Sequence, residues 1–477
     1  MLRPWTLEIP IDSQAKKAIY LQIADRLIEA IQSGRLQAGD SLPGSRQLAQ
    51  RLNVNRNTVV DALDLLLFEG WLVSQERKGT FVAPLHTKLR ANRHPSVAAT
   101  SELEQVSEPT DYSTYIVLDD GHPDSKIAPM AALGRAYREI FSRKGKWQMM
   151  GYGTSLGDVG FREAIAQMLN QQRGMHLHAD TLCITRGSQM AMYLLAHCLL
   201  KKGDAIVVEN PGYHPAWQTF EHAGATLIPI PVDGEGLRVD ILAEQLKTNK
   251  KIKAVYCTPH RQYPSTVSLS LERRHALIAL ANSYGFTLIE DDYDNEFHFG
   301  YRPILPLSSY GALKNYVYIG TLSKVLAPAV RIGYLASNQP KLIEAVADLR
   351  KIIDVQSDSI MEQALLELMK DGTLKRHIRR TSLHYKAKRD AVAALLQDKL
   401  KDKADFRIPD GGLAFWVVPH KEVNWEQLTQ QLLVRGIRLA GIQQYQGTGM
   451  ALGFRLGYAS LSIEHLDEGI SRLAELL

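Results

Sequence analysis

Gly320-Thr321-Leu322-Ser323-Lys324-Val325-Leu326-Ala327-Pro328, with Arg331-Ile332-Gly333-Tyr334 close behind, is the stretch whose reading decides the fold. It follows Asn315-Tyr316-Val317-Tyr318-Ile319, an apolar run rich in β-formers that reads as a buried strand. Lys324 therefore leaves a rigid sheet edge and enters a loop whose neighbours are small hydroxyls and one arginine. An amine held in this way can form a Schiff base with an aldehyde, while Thr321, Ser323 and Arg331 suit a phosphate. The residue types point to a reactive amine and an anion in one place.

Working upstream, Phe286-Thr287-Leu288-Ile289 reads as a strand running into Glu290-Asp291-Asp292-Tyr293-Asp294. Thr181 to Thr185 reads as another strand, after which Arg186-Gly187-Ser188-Gln189 opens a helix from Met190 to Leu200. A helix start carries unpaired N–H groups and the positive end of the helix dipole, so Gly187, Ser188 and Gln189 form a candidate phosphate cradle. Ala205 to Glu209 is a strand ending in the turn Asn210-Pro211-Gly212-Tyr213, which presents an aromatic ring. Downstream, Gly453-Phe454-Arg455-Leu456-Gly457-Tyr458 supplies an arginine whose planar fork suits a carboxylate.

In this order the motifs resemble the fold-type I enzymes that use pyridoxal phosphate (PLP), the aspartate aminotransferase superfamily, over roughly residues 115 to 477. The resemblance implies that Lys324 carries PLP as a Schiff base. It implies that Asp291 keeps the ring nitrogen protonated, so that the ring works as an electron sink. Tyr293 would bond the ring's phenolic oxygen and Tyr213 would stack on the pyridine face. Gly187, Ser188, Gln189, Thr321, Ser323 and Arg331 would hold the phosphate. Arg455 would clamp a carboxylate-bearing effector, with Arg261 in a loop nearby. One departure stands in that loop: Tyr263-Pro264-Ser265-Thr266 occupies the place where the common pattern reads Asn-Pro-Thr-Gly.

The first eighty residues follow a different logic. Ala18 to Ile31 carries apolar residues at helical spacing and stops at Ser33-Gly34. Leu36 to Leu42 is a turn, and short helices over Ser45–Leu52 and Arg56–Phe68 are separated by Asn53-Val54-Asn55. Helix, tight turn and helix is the geometry that seats a second helix in the major groove. Residues 1–84 hold ten Lys/Arg against nine Asp/Glu, so net charge decides little. Position decides more: Ser41 to Val60 contains Arg46, Arg51 and Arg56 and no acid. Arg56-Asn57-Thr58 offers a guanine or phosphate ligand, an adenine ligand and a small hydroxyl at the start of the second helix. Trp71–Ser74 and Thr80–Val82 read as strands joined by the basic tip Gln75-Glu76-Arg77-Lys78-Gly79. The stretch resembles a GntR-type winged helix-turn-helix, carried by Gly34-Arg35-Leu36, Gly39-Asp40, Leu42-Pro43, Arg46 and Gly79-Thr80-Phe81-Val82; Arg77 stands where that pattern often has glycine. The resemblance implies a double-stranded DNA operator as partner, met by Arg46, Arg56, Asn57, Thr58, Lys78 and Gly79.

Length and composition agree with this division. The 477 residues, 45% hydrophobic, supply core for two or three domains. The three cysteines show no metal-like spacing, so no metal is expected and a reducing cytoplasm is the natural setting. No apolar run reaches the ~18 residues of a membrane span, and the first thirty residues are polar and amphipathic, so neither a membrane anchor nor a signal peptide is expected. The expected plan is a winged helix-turn-helix over 1–84, a flexible linker over 85–114 and an α/β aminotransferase-like domain over 115–477 that binds PLP and dimerises. Together these resemble the MocR-type regulators, a GntR subfamily. That resemblance implies a homodimeric transcriptional regulator that senses PLP or an amine-bearing small molecule rather than an enzyme. The alternative is an active aminotransferase with a DNA-binding appendage.

Overall fold

Helical periodicity builds the amino-terminal elements. Ile23, Ala24, Leu27, Ala30 and Ile31 lie on one buried side of α1 (Ile19–Gln32). α2 (Ser45–Leu52) stops where Asn53 turns left-handed at φ 50°, a conformation that asparagine tolerates. Asn55 then caps α3 (Arg56–Phe68), its side-chain oxygen accepting the Asn57 N–H at 2.9 Å. Such a cap is worth about 1 kcal/mol. β1 (Leu72–Gln75) and β2 (Gly79–Val82) pair antiparallel with Gln75 opposite Gly79. Leu27, Leu48, Val59, Leu66, Leu72 and Val82 share a single core, so this segment is a helix-turn-helix closed by a two-stranded hairpin.

The structure is a computed structural model that describes residues 9–12, 17–75, 79–83, 115–142, 147, 150–300, 304–440 and 453–477. The chain divides into two compact units, Met1–Thr110 and Asp111–Leu477. The linker expected over 85–114 and the wing-tip Lys78 lie outside the described residues.

In the second unit, strands apolar on both faces form an eight-stranded sheet. Its order is β4 (Leu182–Thr185), β11 (Gly333–Ser337), β10 (Tyr316–Thr321), β9 (Thr287–Asp292), β8 (Ile252–Cys257), β5 (Ala205–Asn210), β6 (Thr226–Asp233) and β7 (Gly236–Leu237). β5, β9 and β10 are buried at every position, the mark of strands covered by helices on both sides. β6, β5, β8, β9 and β10 run parallel, and β11 runs antiparallel between β10 and β4. β10 is thus an interior strand, and Lys324 lies beyond its carboxyl end rather than on a lateral edge. Open α/β sheets bind ligands at such ends.

A 28-residue helix, Thr373–Leu400, leads from this layer to a smaller sheet of β12 (Ala404–Phe406), β13 (Ala414–Pro419) and β15 (Phe454–Gly457). β14 (Ile437–Leu439) pairs parallel with β3 (Ile116–Leu118), tying the start of this unit to its end. The acidic run after Ile289 begins inside β9, so alternation sorts it by face. Asp291 meets Tyr256, whereas Glu290 accepts from Leu307 and Ser308, and Asp292 from Tyr318 and Arg173.

Candidate cofactor and effector site

The carboxyl ends of the parallel strands converge on a cavity of about 260 Å³. β4 and the helix Ser188–Leu199 deliver Gly187 and Ser188, the turn after β5 delivers Tyr213, and β9 delivers Asp291 and Tyr293. The turn after β10 contributes Thr321, Ser323, Lys324 and Arg331, and β15 contributes Arg455; all of these line the cavity. Lys324 Nζ donates to the Gly121 carbonyl at 2.8 Å. Arg331, left-handed at φ 52°, donates to the Arg186 carbonyl at 3.0 Å. Gly187 has φ +79°, and a Cβ there would come within 2.9 Å of the Arg331 guanidinium. Only glycine leaves that arginine beside the helix start.

Burial governs the electrostatics. Desolvation lowers the Lys324 pKa, against which Asp120 pulls it back up. Burial pushes the Asp291 carboxyl up to about 7, although the 2.8 Å hydrogen bond from Tyr256 opposes the shift. Asp120 is pushed up by burial too, but Lys324, Arg455 and His122 together hold it below the usual carboxylate range. Burial raises Tyr213 to about 12, so it stays a neutral phenol. Arg455 is 2% exposed and bonds the Asp120 carbonyl at 2.6 Å, the Pro264 carbonyl at 3.0 Å and Tyr293 Oη at 3.2 Å. It also lies 5.0 Å above the Tyr263 ring. Three of its five N–H donors are spent in this way, which leaves two for a ligand.

These residues fit PLP. Asp291 Oδ1 and Ser323 Oγ are buried with no hydrogen-bond partner, an arrangement that costs free energy unless a ligand completes it. Asp291 can hold a ring N–H, and the Ser188 end of its helix, Ser323 and Arg331 can hold a phosphate. Thr321 lines the same wall, but its hydroxyl is occupied, donating to the Ile332 carbonyl at 3.0 Å and accepting the Ser323 N–H at 3.1 Å.

Two expected residues are placed elsewhere. The Gln189 side chain turns away from the cavity and donates to the Pro215 carbonyl at 3.1 Å and Thr219 Oγ1 at 2.9 Å, because position two of the helix faces the neighbouring helix His214–His222. Arg261 also lies outside the cavity. Its Nε meets Asp294 Oδ1 at 2.6 Å in a buried ion pair, and a charge so deep needs that carboxylate more than a ligand. Conversely, Asp120, His122, Tyr256 and Thr258, not among the expected site residues, line the cavity, as do Tyr263 and Pro328, which the sequence showed only as members of their loop motifs. Asp119-Asp120-Gly121-His122, an acidic turn after a short strand, was a usable signal. Tyr256 was not, since it sits inside an apolar strand.

On the amino-terminal unit, Arg46, Arg56, Asn57 and Gly79 are exposed and Thr58 is half-buried. Gly79 has φ +115° at the start of β2, a conformation that favours glycine. Arg56 and Asn57 open the second helix of the helix-turn-helix with their side chains at the surface, as expected of a helix that reads DNA.

The family model "Aminotransferase class I and II" matches residues 115–473 and that of "Bacterial regulatory proteins, gntR family" matches residues 19–82. The chain is 28% identical to "Aromatic-amino-acid aminotransferase 1" of Thermococcus litoralis, over 79% of this chain and 91% of that one. It is 27% identical to "Probable rhizopine catabolism regulatory protein MocR" of Rhizobium meliloti, over 97% of this chain and 94% of that one. Among solved structures, an archaeal alanine:glyoxylate aminotransferase superposes with a TM-score of 0.71 at 30% identity, covering 76% of this chain and 90% of its own. With Lys324, Asp291 and Arg455 gathered at the sheet ends and a winged helix in front, the chain belongs to the aminotransferase class I and II family, joined to a gntR-family domain in the manner of the MocR-type regulators.

Proposed function

We propose that this protein is a transcriptional regulator that binds a DNA operator through residues 1–84 and uses its aminotransferase-like domain, residues 115–477, to hold PLP and sense an amine. One observation carries the reading. A cavity holding a desolvated lysine, a carboxyl with an unpartnered oxygen and a helix start beside an arginine is built in a chain that opens with a winged helix. When bound, PLP supplies an aldehyde that captures amines and a ring that withdraws electrons. Desolvation keeps more of the Lys324 amine neutral and nucleophilic than a solvated lysine would be. Asp291 Oδ1, buried at the cavity without a partner, would hold a ring N–H, and a cation there would draw its carboxyl back to the charged form. Tyr213 packs edge-on against Tyr263 at 5.2 Å, which fixes its ring at the cavity wall. Arg455 offers its two remaining donors to a carboxylate-bearing effector. The protein acts as a cytoplasmic homodimer in this reading.

A second reading, turnover as an aminotransferase, is favoured by the likeness to the Thermococcus litoralis aminotransferase and by the gathering of Lys324, Asp291, Tyr293 and Arg455 in one cavity. Against it, the place of the common asparagine is held by Tyr263, whose hydroxyl donates to Asp120 Oδ2 at 3.0 Å. The deciding experiment titrates PLP into the purified protein, follows visible absorbance, and then measures operator affinity and steady-state amino transfer across a panel of amines. Operator affinity that changes with an amine, without sustained transfer, supports the regulator. Sustained transfer with no effect on DNA supports the enzyme.

A further inference from the structure

A second built feature lies on the unit Asp111–Leu477, away from the cavity just described. A groove of about 510 Å³ runs between the start of the helix Met130–Ser142 and the start of the helix Thr373–Leu400. It gathers Arg135 from the first helix and Arg376 and Arg380 from the second, with Thr373 and His377 in its wall. Arg135 and Arg380 are exposed and form no ion pair among the described residues. Arg376 is held by its own turn, donating to the Asp371 carbonyl at 3.1 Å and to Thr373 Oγ1 at 2.9 Å. Asp371 precedes this turn, and its carboxylate is taken by the Thr373 N–H at 2.7 Å and hydroxyl at 2.9 Å. Three guanidiniums from helices more than two hundred residues apart line one groove, and their summed positive field favours an anion there.

His377 gives the independent sign of a ligand. It is 4% exposed, its Nε2 lies 2.9 Å from the Val325 carbonyl, and its Nδ1 is buried without a partner. The carbonyl can only accept, so Nε2 carries a hydrogen. A phosphate oxygen could complete Nδ1 in either proton state of the ring: a P–OH donates to the neutral imidazole, and a P–O⁻ accepts from the charged one. Arginine forks match the tetrahedral face of a phosphate. The acid-free run from Thr373 to Arg389 continues the positive field with exposed Lys375 and Arg379, while Lys386 further along is paired with Asp390 at 3.0 Å. Val325 follows Lys324, so the groove wall is bonded to the backbone of the lysine turn.

We infer that this groove is a phosphate-binding site formed by Arg135, Arg376, Arg380 and His377, and distinct from the cradle at Gly187 and Arg331. The phosphate could come from a phosphorylated small molecule or from the backbone of bound DNA. The test uses the full-length protein and isothermal titration with inorganic phosphate at low ionic strength, comparing wild type, the double variant R135Q/R380Q and the cradle variant R331Q. Both substituted groove positions are exposed, and unchanged circular dichroism checks that the fold is retained. The expected result is a class of phosphate binding that R331Q keeps and R135Q/R380Q weakens at least tenfold. Phosphate binding equal in wild type and double variant, or none beyond what R331Q removes, overturns the site. Scrambled duplex DNA then separates the two sources. A weaker affinity with a shallower salt slope in the double variant identifies the DNA backbone; unchanged DNA binding alongside lost phosphate binding identifies a small phosphorylated ligand.

Discussion

At the scale of single residues, the site is a set of groups whose burial sets their chemistry. Lys324→Ala is expected to abolish both the visible absorbance of the PLP-treated protein and the borohydride-trapped adduct. The cost to the fold should be small, since the side chain makes one hydrogen bond, to Gly121. An undiminished adduct in that variant would mean that another lysine carries the cofactor. Asp291 gives a prediction with a sign. Its carboxyl titrates near 7 in the folded chain and near the ordinary 3.9 when unfolded. As pH rises from about 4, the unfolded chain ionises first, so this group costs the cofactor-free protein stability that grows until about pH 7. The cost is on the order of a few kcal/mol at most. Asp291→Asn removes it while keeping an acceptor for Tyr256. Urea midpoints of the cofactor-free proteins should therefore shift in favour of the variant between pH 5 and pH 8; parallel pH dependence would refute the assignment. Lys324 was legible from its strand-then-loop pattern, whereas Asp291 and Arg455, both buried within strands, were named through the resemblance of their motifs to the aminotransferase family. Arg261 was misplaced because a sequence does not reveal that Asp294 reaches it first.

At the scale of elements, α3 and β9 show how regular geometry selects among similar residues. α3 begins at Arg56 because Asn55 caps it, which turns Arg56 and Asn57 outward. Replacing Asn57 with Ala should relax base preference at one operator position by about 1–3 kcal/mol. Replacing Arg46 with Ala should instead weaken binding to all duplexes and flatten its salt dependence. Equal affinity of the wild-type protein for operator and scrambled DNA at moderate salt would sink specific recognition. In β9, alternation alone decides that Asp291 meets the cavity while its two acidic neighbours serve the opposite face. The strands and both helices of the helix-turn-helix were readable from periodicity and turn residues. Gln189 was not, since its first-turn position fits a phosphate or a neighbouring helix equally well until packing decides.

At the scale of the whole molecule, two units with separate cores predict separable behaviour. A fragment from residue 115 onward should stay folded and take up PLP, because the cofactor residues and their core all lie downstream. Residues 1–84 alone should bind operator weakly and ignore amines, having lost the avidity of a paired binder. Absorbance and gel-shift measurements on the two fragments check this; a carboxyl-terminal fragment that fails to bind PLP would show that the site needs the amino-terminal unit. The sequence by itself determined the order of the two domains, the winged helix with its exposed Arg56 and Asn57, and the lysine, aspartate and arginine of the cavity. Those features depend on local patterns: helical and strand periods, caps, and motif spacing along a few dozen residues. The tertiary structure alone decided that Asp120 and Tyr256 complete the cavity, that Arg261 and Gln189 are committed elsewhere, and that Arg135 lines one groove with Arg376 and Arg380. Each of those outcomes depends on which distant segments share a surface. A buried charge takes the nearest counter-charge, and packing, not sequence spacing, sets what is nearest.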